Sequence, residues 1–314
     1  MNLAFPDIQN FDPKNDAAPI PLLADPLRLP IEHAVSETIE KKWTVKQFRD
    51  MNDFSSHPSA IFSDESYSVF VKFSKAANGL EQFETELKSL RLLHELAGIL
   101  IPTPIGNVAV EGGVVMVLEA VRSVERTSIQ WRQIGQTLAQ IHRVKGKAYG
   151  LDSHNYFGPF YQDNRPMRDW ATFYAERRLF PRLMGAINAG HMPTAAIQQV
   201  ERLIARLPKL CGPEVTPTLL HGDAQHHNFV STAEGAVVID PAVYYGHPEI
   251  DLAYVDYFHP MPEDVLLGYQ ELLPIDPGFS ERRDLWRVYG YLAAVEVEGT
   301  PYLGKLLDAV QKYL

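Results

Sequence analysis

Stretches in which apolar and polar positions alternate occupy the first third of the chain. They predict strands, because successive side chains of a strand point to opposite faces of a sheet. Three such stretches lie between Trp43 and Phe73 and are expected to form an antiparallel meander. Two more flank the turn Glu111-Gly112-Gly113, which is typical of a hairpin. The five predicted strands are residues 43–48, 59–63, 67–73, 105–110 and 114–118.

Apolar residues at three- and four-residue spacing predict helices in the rest of the chain. Leu80, Phe83, Leu87 and Leu90 mark a helix over 80–96, and Gly98 is placed to end it. Further helices are predicted at 26–40, 131–141, 170–184 and 195–207, with more helical segments from 249 to 314.

This order of elements predicts an α+β fold in three parts. Residues 1–25 are rich in proline, asparagine and aspartate and are expected to form an arm. Residues 26–119 form a first lobe with a five-stranded antiparallel sheet and a helix. Residues 120–314 form a second lobe that is mainly helical.

Composition limits the kinds of partner. The net charge of −10 argues against non-specific binding to nucleic acid or to an anionic membrane. It is compatible with a cationic substrate, although an ordinary solvated acidic surface explains it as well. Cys211 is the single cysteine, so no internal disulfide is possible and a reducing cytoplasm is expected. We find neither a secretory leader nor an apolar stretch of 18 residues, so no membrane association is expected.

The candidate catalytic and metal-binding side chains are concentrated in residues 219–229 (LLHGDAQHHNF) and 236–256. Asp223 follows His-Gly after an apolar run, Asn228 comes five residues later, and Asp240 ends the apolar run Val237–Ile239. Phosphoryl transfer from ATP needs a carboxylate to accept a hydroxyl proton, and it needs oxygen ligands for Mg²⁺. This ordered set meets both needs. The alternative is that these polar residues cap turns in a structural hairpin.

Three histidines accompany this motif. His221 has two interpretations, as a catalytic group or as a structural residue that bonds the loop backbone, and the second is favoured. His226 and His227 raise the question of a zinc site. Adjacent histidines point apart, no cysteine pair accompanies them and oxygen ligands dominate nearby, so zinc is not expected.

The sequence HGDAQHHN resembles the catalytic loop of the aminoglycoside phosphotransferase and choline kinase group, which is similar to protein kinases. The resemblance implies an ATP- and magnesium-dependent small-molecule kinase with a two-lobed, protein-kinase-like fold. It makes Asp223 the catalytic base, and Asn228 and Asp240 the metal ligands.

The same resemblance gives roles to residues of the first lobe. Lys72, in VFVKF, matches the strand lysine that neutralises nucleotide phosphates and pairs with a helix glutamate. Glu86 is the predicted partner and Glu84 the alternative; without the motif, Lys72 would be taken for a solvated strand lysine. Glu119 falls where kinases bind adenine through backbone groups.

One part of the kinase pattern is missing, because no glycine precedes Gly79. The turn over the phosphates is predicted at 52–58, where Ser55 and Ser56 are the candidate hydrogen-bond donors. Without glycine, close approach of the backbone to phosphate is harder.

Residues 149–179 resemble the fructosamine kinase family, and the resemblance extends over about residues 26–314. The matching positions are Gly150, Asn155, Gly158, Gln162, Asn164, Trp170, Phe173, Arg178 and Leu179. One departure is His154, which stands where the family has an acidic residue.

This family phosphorylates a sugar hydroxyl of ketosamines, which are adducts of sugars with amines. The implied partner is a small amine–sugar adduct or a glycated protein lysine. Asn155, Gln162 and Asn164 are predicted either to bind this substrate or to stabilise their own loop. A kinase of another small alcohol (aminoglycoside, choline or sugar) and a non-catalytic nucleotide-binding relative remain alternatives, and the sequence leaves the oligomeric state open.

Overall fold

A five-stranded antiparallel sheet with the strand order β1-β2-β3-β5-β4 organises the first part of the chain. The computed structural model describes residues 21–52 and 57–314. The strands are β1 (Gln47–Asp50), β2 (Ser59–Ser63), β3 (Ser68–Ser74), β4 (Pro104–Val110) and β5 (Gly113–Glu119). β3 lies between β2 and β5, and Lys72 is paired with Ser59 on one side and Met116 on the other.

Two helices accompany the sheet, α1 (Asp25–Thr38) and α2 (Gly79–Ala97). Leu27, Ile31 and Val35 recur every fourth residue of α1 and are buried in one cluster with Val71 and Val117 of the sheet. The alternating apolar residues of the strands and the regularly spaced apolar residues of α1 are therefore buried in one shared core.

The first predicted strand was wrong in its position: 43–48 was expected and Gln47–Asp50 is observed. The indole of Trp43 donates to the carbonyl oxygen of Tyr67, and the backbone N–H of Val45 donates to the carboxylate of Glu32. Residues 43–45 therefore bond side chains and a loop carbonyl, and backbone pairing with β2 begins at Lys46, whose N–H donates to the carbonyl oxygen of Ser63 at 2.8 Å.

The rest of the chain is mainly helical, as predicted. Its helices are α3 (Ser128–Arg143), α4 (Trp170–Tyr174), α5 (Phe180–Asn188), α6 (Thr194–Leu210), α7 (Glu249–Tyr254), α8 (Asp264–Gln270), α9 (Phe279–Glu298) and α10 (Thr300–Gln311). Cys211 follows α6 and is buried. None of the described helices is both long and apolar enough to cross a membrane.

A π-helical turn, Ala175–Leu179, joins α4 to α5 where a single helix was predicted. Pro181 has no N–H to donate to the carbonyl oxygen of Arg177 four residues earlier. That oxygen instead accepts a bond from the guanidinium of Arg178 at 3.0 Å. The wider turn thus coincides with a proline and a buried arginine.

Three short hairpins or strand pairs complete this part. β6 (Asn155–Phe157) pairs with β7 (Phe160–Gln162), β8 (Thr218–Leu220) with β11 (Tyr244–Gly246), and β9 (Phe229–Ser231) with β10 (Ala236–Val238). The HGDAQHHN motif lies between β8 and β9.

Contacts divide the chain into two compact units. The first comprises the described residues up to Lys88 together with Ile101–Ser123, and the second comprises Ser89–Leu100 together with Val124–Leu314. The chain thus crosses the boundary three times: within α2, between α2 and β4, and after β5. The predicted division into an arm and two lobes at residues 25 and 119 stays a prediction.

Candidate active site

The backbone after β8 makes a tight approach that only glycine permits. Gly222 has φ of +83°, and a Cβ at this position would lie 2.0 Å from the carbonyl oxygen of Ala242. The N–H of Ala242 in turn donates to the carbonyl oxygen of His221 at 2.8 Å. The loop that carries Asp223 is therefore held against the segment that follows β10.

A carboxylate that the sequence reasoning missed anchors this loop. Asp251 of α7 is fully buried and accepts the backbone N–H of His221 at 2.7 Å and that of Gly222 at 3.0 Å. Nε2 of His142, on α3, lies 3.1 Å from the same carboxylate. The signal was available as the acidic residue within the apolar stretch EIDLAY, since a buried aspartate needs partners.

The contacts of His221 are those of the structural alternative. Its Nδ1 accepts the N–H of Asp223 at 3.2 Å, and its Nε2 lies 3.1 Å from the carbonyl oxygen of Ile239. Complete burial lowers the pKa of His221, so the ring is neutral at physiological pH and donates from Nε2.

Two side-chain amides hold the carboxylate of Asp223. Nε2 of Gln225 donates to Oδ1 at 2.8 Å, and Nδ2 of Asn228 donates to Oδ2 at 3.3 Å and to the Asp223 carbonyl oxygen at 2.8 Å. Burial raises the pKa of Asp223 to about 7, and the charges of Asp240 and Asp251 add to this, while the two amides oppose it. A base works best with a pKa near the working pH, so the site suits proton acceptance.

Asn228 and Asp240 lie at the same end of the β9–β10 hairpin. Phe229 pairs with Val238, and the N–H of Ile239 donates to the carbonyl oxygen of Asn228 at 3.0 Å. Asp240 has φ of +51°, in the left-handed region that aspartate tolerates better than most residues. The hairpin register therefore brings both predicted metal ligands to one place.

The donor chemistry of this pair fits magnesium. Asn228 uses its nitrogen toward Asp223, which leaves Oδ1 to face a cation, and Asp240 offers a carboxylate. Magnesium is commonly bound by one or two such protein oxygens together with nucleotide phosphates. Within the described ranges, no cluster of three or more histidine, cysteine, aspartate or glutamate side chains suits a metal.

Arg126 is a second residue that the sequence reasoning missed. Its guanidinium donates to the carbonyl oxygens of His226 and Phe229 and to Oγ of Ser231, and it lies 4.7 Å from the ring centre of Trp131. Burial lowers the pKa of Arg126, yet the guanidinium stays charged because its pKa starts so high. Arg126 thus fixes the end of the loop 221–228, which carries Asp223, by bonding backbone carbonyl oxygens of that loop and of β9.

In the first unit, Lys72 and Glu86 form a buried ion pair. Nζ of Lys72 lies 3.0 Å from Oε2 and 3.3 Å from Oε1 of Glu86, and the lysine is 5% exposed. The pairing is with the predicted first choice, Glu86 on α2. Lys72 is therefore not a solvated strand lysine, while its role toward a nucleotide stays a prediction.

Glu119, Ser55 and Ser56 are the other residues predicted to contact the nucleotide. Glu119 ends β5, and its backbone N–H donates to the carbonyl oxygen of Thr103 at 2.8 Å. Its role toward adenine stays a prediction. Ser55 and Ser56 lie outside the described residues.

Two of the three predicted substrate residues are buried in a hydrogen-bond network. Nδ2 of Asn164 donates to Oδ1 of Asn155 at 3.0 Å, and Oδ1 of Asn164 accepts the guanidinium of Arg178 at 2.6 Å. Nδ2 of Asn155 donates to the carbonyl oxygen of Val243 at 2.8 Å. Arg178 is fully buried, with its guanidinium carbon 4.0 Å from the ring centre of Tyr244.

Gln162 and His154 belong to the same segment. Nε2 of Gln162 donates to the hydroxyl of Tyr289 at 2.8 Å, and Gln162 is 1% exposed. Nδ1 of His154 accepts the backbone N–H of Asn164 at 3.1 Å. These contacts join the segment to itself and to α9; a direct role of Asn155, Gln162 or Asn164 toward substrate stays a prediction.

Comparisons with known proteins place this geometry in context. A family model described as fructosamine kinase matches residues 29–314. A chloroplastic protein-ribulosamine 3-kinase from Oryza sativa subsp. indica is 30% identical over 259 residues, or 81% of this chain and 74% of that protein.

Solved structures show the same fold. A candidate fructosamine-3-kinase from Thermobifida fusca has a TM-score of 0.78 at 27% identity, over 90% of this chain and 98% of that one. A thermostable mutant of the aminoglycoside phosphotransferase APH(4)-Ia, solved with ADP and hygromycin B, has a TM-score of 0.61 at 12% identity, over 90% of this chain and 98% of that one. The predicted protein-kinase-like α+β fold is confirmed.

Proposed function

Because the chain belongs to the fructosamine kinase family, we propose that it transfers the γ-phosphoryl group of ATP to a sugar hydroxyl of a ketosamine. The observation that carries this proposal is the Asp223 carboxylate, which two amides hold on a loop anchored by Asp251. That arrangement fixes a proton acceptor while leaving lone pairs on both oxygens, since each carboxylate oxygen can accept two hydrogen bonds.

The reaction assigns one task to Asp223. The O–H bond of the acceptor breaks and its proton passes to the carboxylate, while the acceptor oxygen forms a bond to the γ-phosphorus. The bond between that phosphorus and the bridging oxygen of ADP breaks, and ADP leaves with the electron pair. The protein contributes position and charge rather than a covalent intermediate.

The nucleotide phosphates need positive charge. We assign Lys72 to neutralising them, with Glu86 holding its ammonium group. Oδ1 of Asn228 and the carboxylate of Asp240 would hold Mg²⁺, which when bound offsets the charge that develops on the phosphoryl oxygens. Nucleotide use also agrees with the ADP complex of APH(4)-Ia.

The acceptor is a sugar joined to an amine, as a small ketosamine or on a glycated protein lysine. The protein-ribulosamine 3-kinase name of the rice relative supports this class. A secondary ammonium group suits a site in which Asp223, Asp240 and Asp251 lie within electrostatic range of one another. We assign Asn155, Gln162 and Asn164 to holding their segment in place, because their amides bond protein groups.

An acceptor panel tests this function. ADP release and the mass of the acceptor would be measured with fructosyl-lysine, ribulosyl-lysine, a glycated protein, choline, an aminoglycoside and free sugars. We expect a mass gain of one phosphate on the ketosamines. Phosphate found only on choline, an aminoglycoside or a free sugar would replace this proposal with a kinase of that alcohol. ATP binding without transfer to any acceptor would favour a non-catalytic relative.

A further inference from the structure

Three side chains of the catalytic loop form a linear hydrogen-bonded chain. Gln225 donates through Nε2 to Oδ1 of Asp223 at 2.8 Å, and Nε2 of His227 lies 3.0 Å from Oε1 of Gln225. Both distances are in the normal range for strong hydrogen bonds. Gln225 enters the phosphoryl-transfer scheme above through its bond to Asp223 alone, and His227 has no part in that scheme.

The chemistry of the groups fixes the direction of this chain. An ionised carboxylate only accepts hydrogen bonds, so the amide nitrogen of Gln225 must face Asp223. The amide oxygen then faces Nε2 of His227, which must carry a hydrogen to be a partner. If the amide turned over, two acceptor oxygens would meet at 2.8 Å, and a donor would meet a donor at the histidine.

Other rings hold the His227 imidazole. His226 lies 4.8 Å away between ring centres and His259 lies 5.8 Å away, both edge-to-face, and Phe258 is stacked at 6.5 Å. Although His227 is exposed, these contacts limit its rotation. The ring is therefore able to hold the amide of Gln225 in one orientation.

We propose that Gln225 is a positioning residue for the catalytic base, Asp223. In this proposal His227 keeps the side-chain amide of Gln225 in one orientation. This inference rests on the proposed function, because it needs Asp223 to be the base. Gln225 holds Oδ1 and Asn228 holds Oδ2, so the carboxylate plane is fixed from both sides. A misplacement of about 1 Å is enough to cost on the order of a hundredfold in rate.

Steady-state kinetics of matched variants test the inference. Gln225→Leu keeps the volume and removes both bonds, and we expect kcat to fall about 10- to 100-fold with KM for ATP unchanged. His227→Phe keeps the ring contacts without the N–H, and a loss of about three- to tenfold in kcat corresponds to one neutral hydrogen bond. His227→Gln returns an amide N–H and should restore kcat to within about twofold, well inside the span of one such bond.

A double variant separates positioning from other roles. In the Gln225→Leu background, His227→Phe should cause no further loss, since the two act through one chain. Additive losses, or a rise in KM for the acceptor with kcat unchanged, would overturn the inference in favour of direct substrate contact. Gln198→Leu, the same substitution at an exposed position of α6, is the control and should leave kcat unchanged.

Nuclear magnetic resonance gives a readout that needs no substrate. The ¹⁵N shifts of His227 should show the Nε2–H tautomer, and the side-chain amide signal of Gln225 should move in Asp223→Ala and in His227→Phe. An Nδ1–H tautomer, or an amide signal unaffected by either change, would overturn the inference. If the wild-type enzyme phosphorylates another alcohol, the proposed function fails while these kinetic and spectroscopic tests still decide the role of Gln225.

Discussion

The catalytic loop, residues 221–228, and the segment 153–164 are both rich in polar side chains, but they use them differently. In the loop, the Asp223 carboxylate is held by other groups: Asp251 accepts the N–H groups of His221 and Gly222, and the His221 ring bonds the backbone on either side. In the segment, the amides of Asn155 and Asn164 are themselves the anchors. The Asp223 carboxylate can take part in chemistry because other groups fix its position. The amides of Asn155 and Asn164 are already used in bonds that stabilise the segment.

The first test of this contrast changes the base. Asp223→Asn preserves size but removes the proton acceptor, and loss of a general base costs about a hundred- to ten-thousandfold in kcat. ATP affinity should stay almost normal by calorimetry. The exposed Asp152→Asn is a control and should be neutral. A variant that keeps more than about a tenth of kcat lies outside this span and would mean that Asp223 is not the base.

The second test removes the side chain that we propose as the main ligand of Mg²⁺. Asp240→Ala should abolish the magnesium-dependent part of nucleotide binding while the protein stays folded, as calorimetry with and without Mg²⁺ would show. Asp240→Asn is the matched variant, since asparagine also tolerates a positive φ and keeps one oxygen. Magnesium-dependent binding that is the same in Asp240→Ala and wild type would remove Asp240 from the metal site.

The third test concerns the first unit. Lys72→Ala should weaken ATP binding and lower kcat together, by about tenfold or more, because the loss of a charge-assisted contact costs about 1.5–3 kcal/mol. Glu86→Gln should reproduce part of the effect, since the ammonium then faces a neutral amide in place of the carboxylate. If both variants are destabilised while ATP affinity is unchanged, the ion pair is structural. Lys72 would then stabilise the fold, as we infer for Asn164, and would not act on the nucleotide.

The smallest effect on turnover is expected in the segment. Asn164→Ala leaves the buried guanidinium of Arg178 without its side-chain acceptor, and we expect a loss of about 1.5–3 kcal/mol in the free energy of unfolding. At low temperature kcat should be unchanged. Gln140→Ala, at an exposed position on α3, is the control for denaturant melts. A tenfold rise in KM for the acceptor at wild-type stability would instead make Asn164 a substrate contact.

Much of the fold could be predicted because its elements follow local rules. Alternation located β2 and β3, and the spacing of Leu80, Phe83 and Leu87 located α2. β1 was misplaced because Trp43 and Val45 bond Tyr67 and Glu32, which are 24 and 13 residues away along the chain, instead of pairing with a strand. The π-helical turn was missed because it depends on where the Arg178 guanidinium packs, and a periodic pattern does not encode that.

In the candidate site, too, the features set by local sequence patterns could be predicted, and those set by contacts between distant residues could not. Asp223, Asn228 and Asp240 could be found because their spacing along one hairpin is local. Arg126 could not, because it acts on the loop from a distant part of the chain. For Asp251, the stretch EIDLAY indicates that a buried aspartate needs partners, but it does not show that these are the N–H groups of the loop. Asn155 and Asn164 were recognisable as a pattern, but whether an amide faces substrate or protein depends on burial, which only the structure gives.

The buried cysteine gives this enzyme a chemical property of practical use. Burial, followed by the charge of Asp169, raises the pKa of the Cys211 thiol to about 12, so almost no thiolate exists at neutral pH. Since the thiolate is the reactive form, maleimides and iodoacetamides should leave the native protein unmodified. A cysteine introduced at an exposed position of either unit would then be the only labelled site, without any need to replace Cys211. A pair of such positions would allow distances between the units to be measured in solution as nucleotide is added.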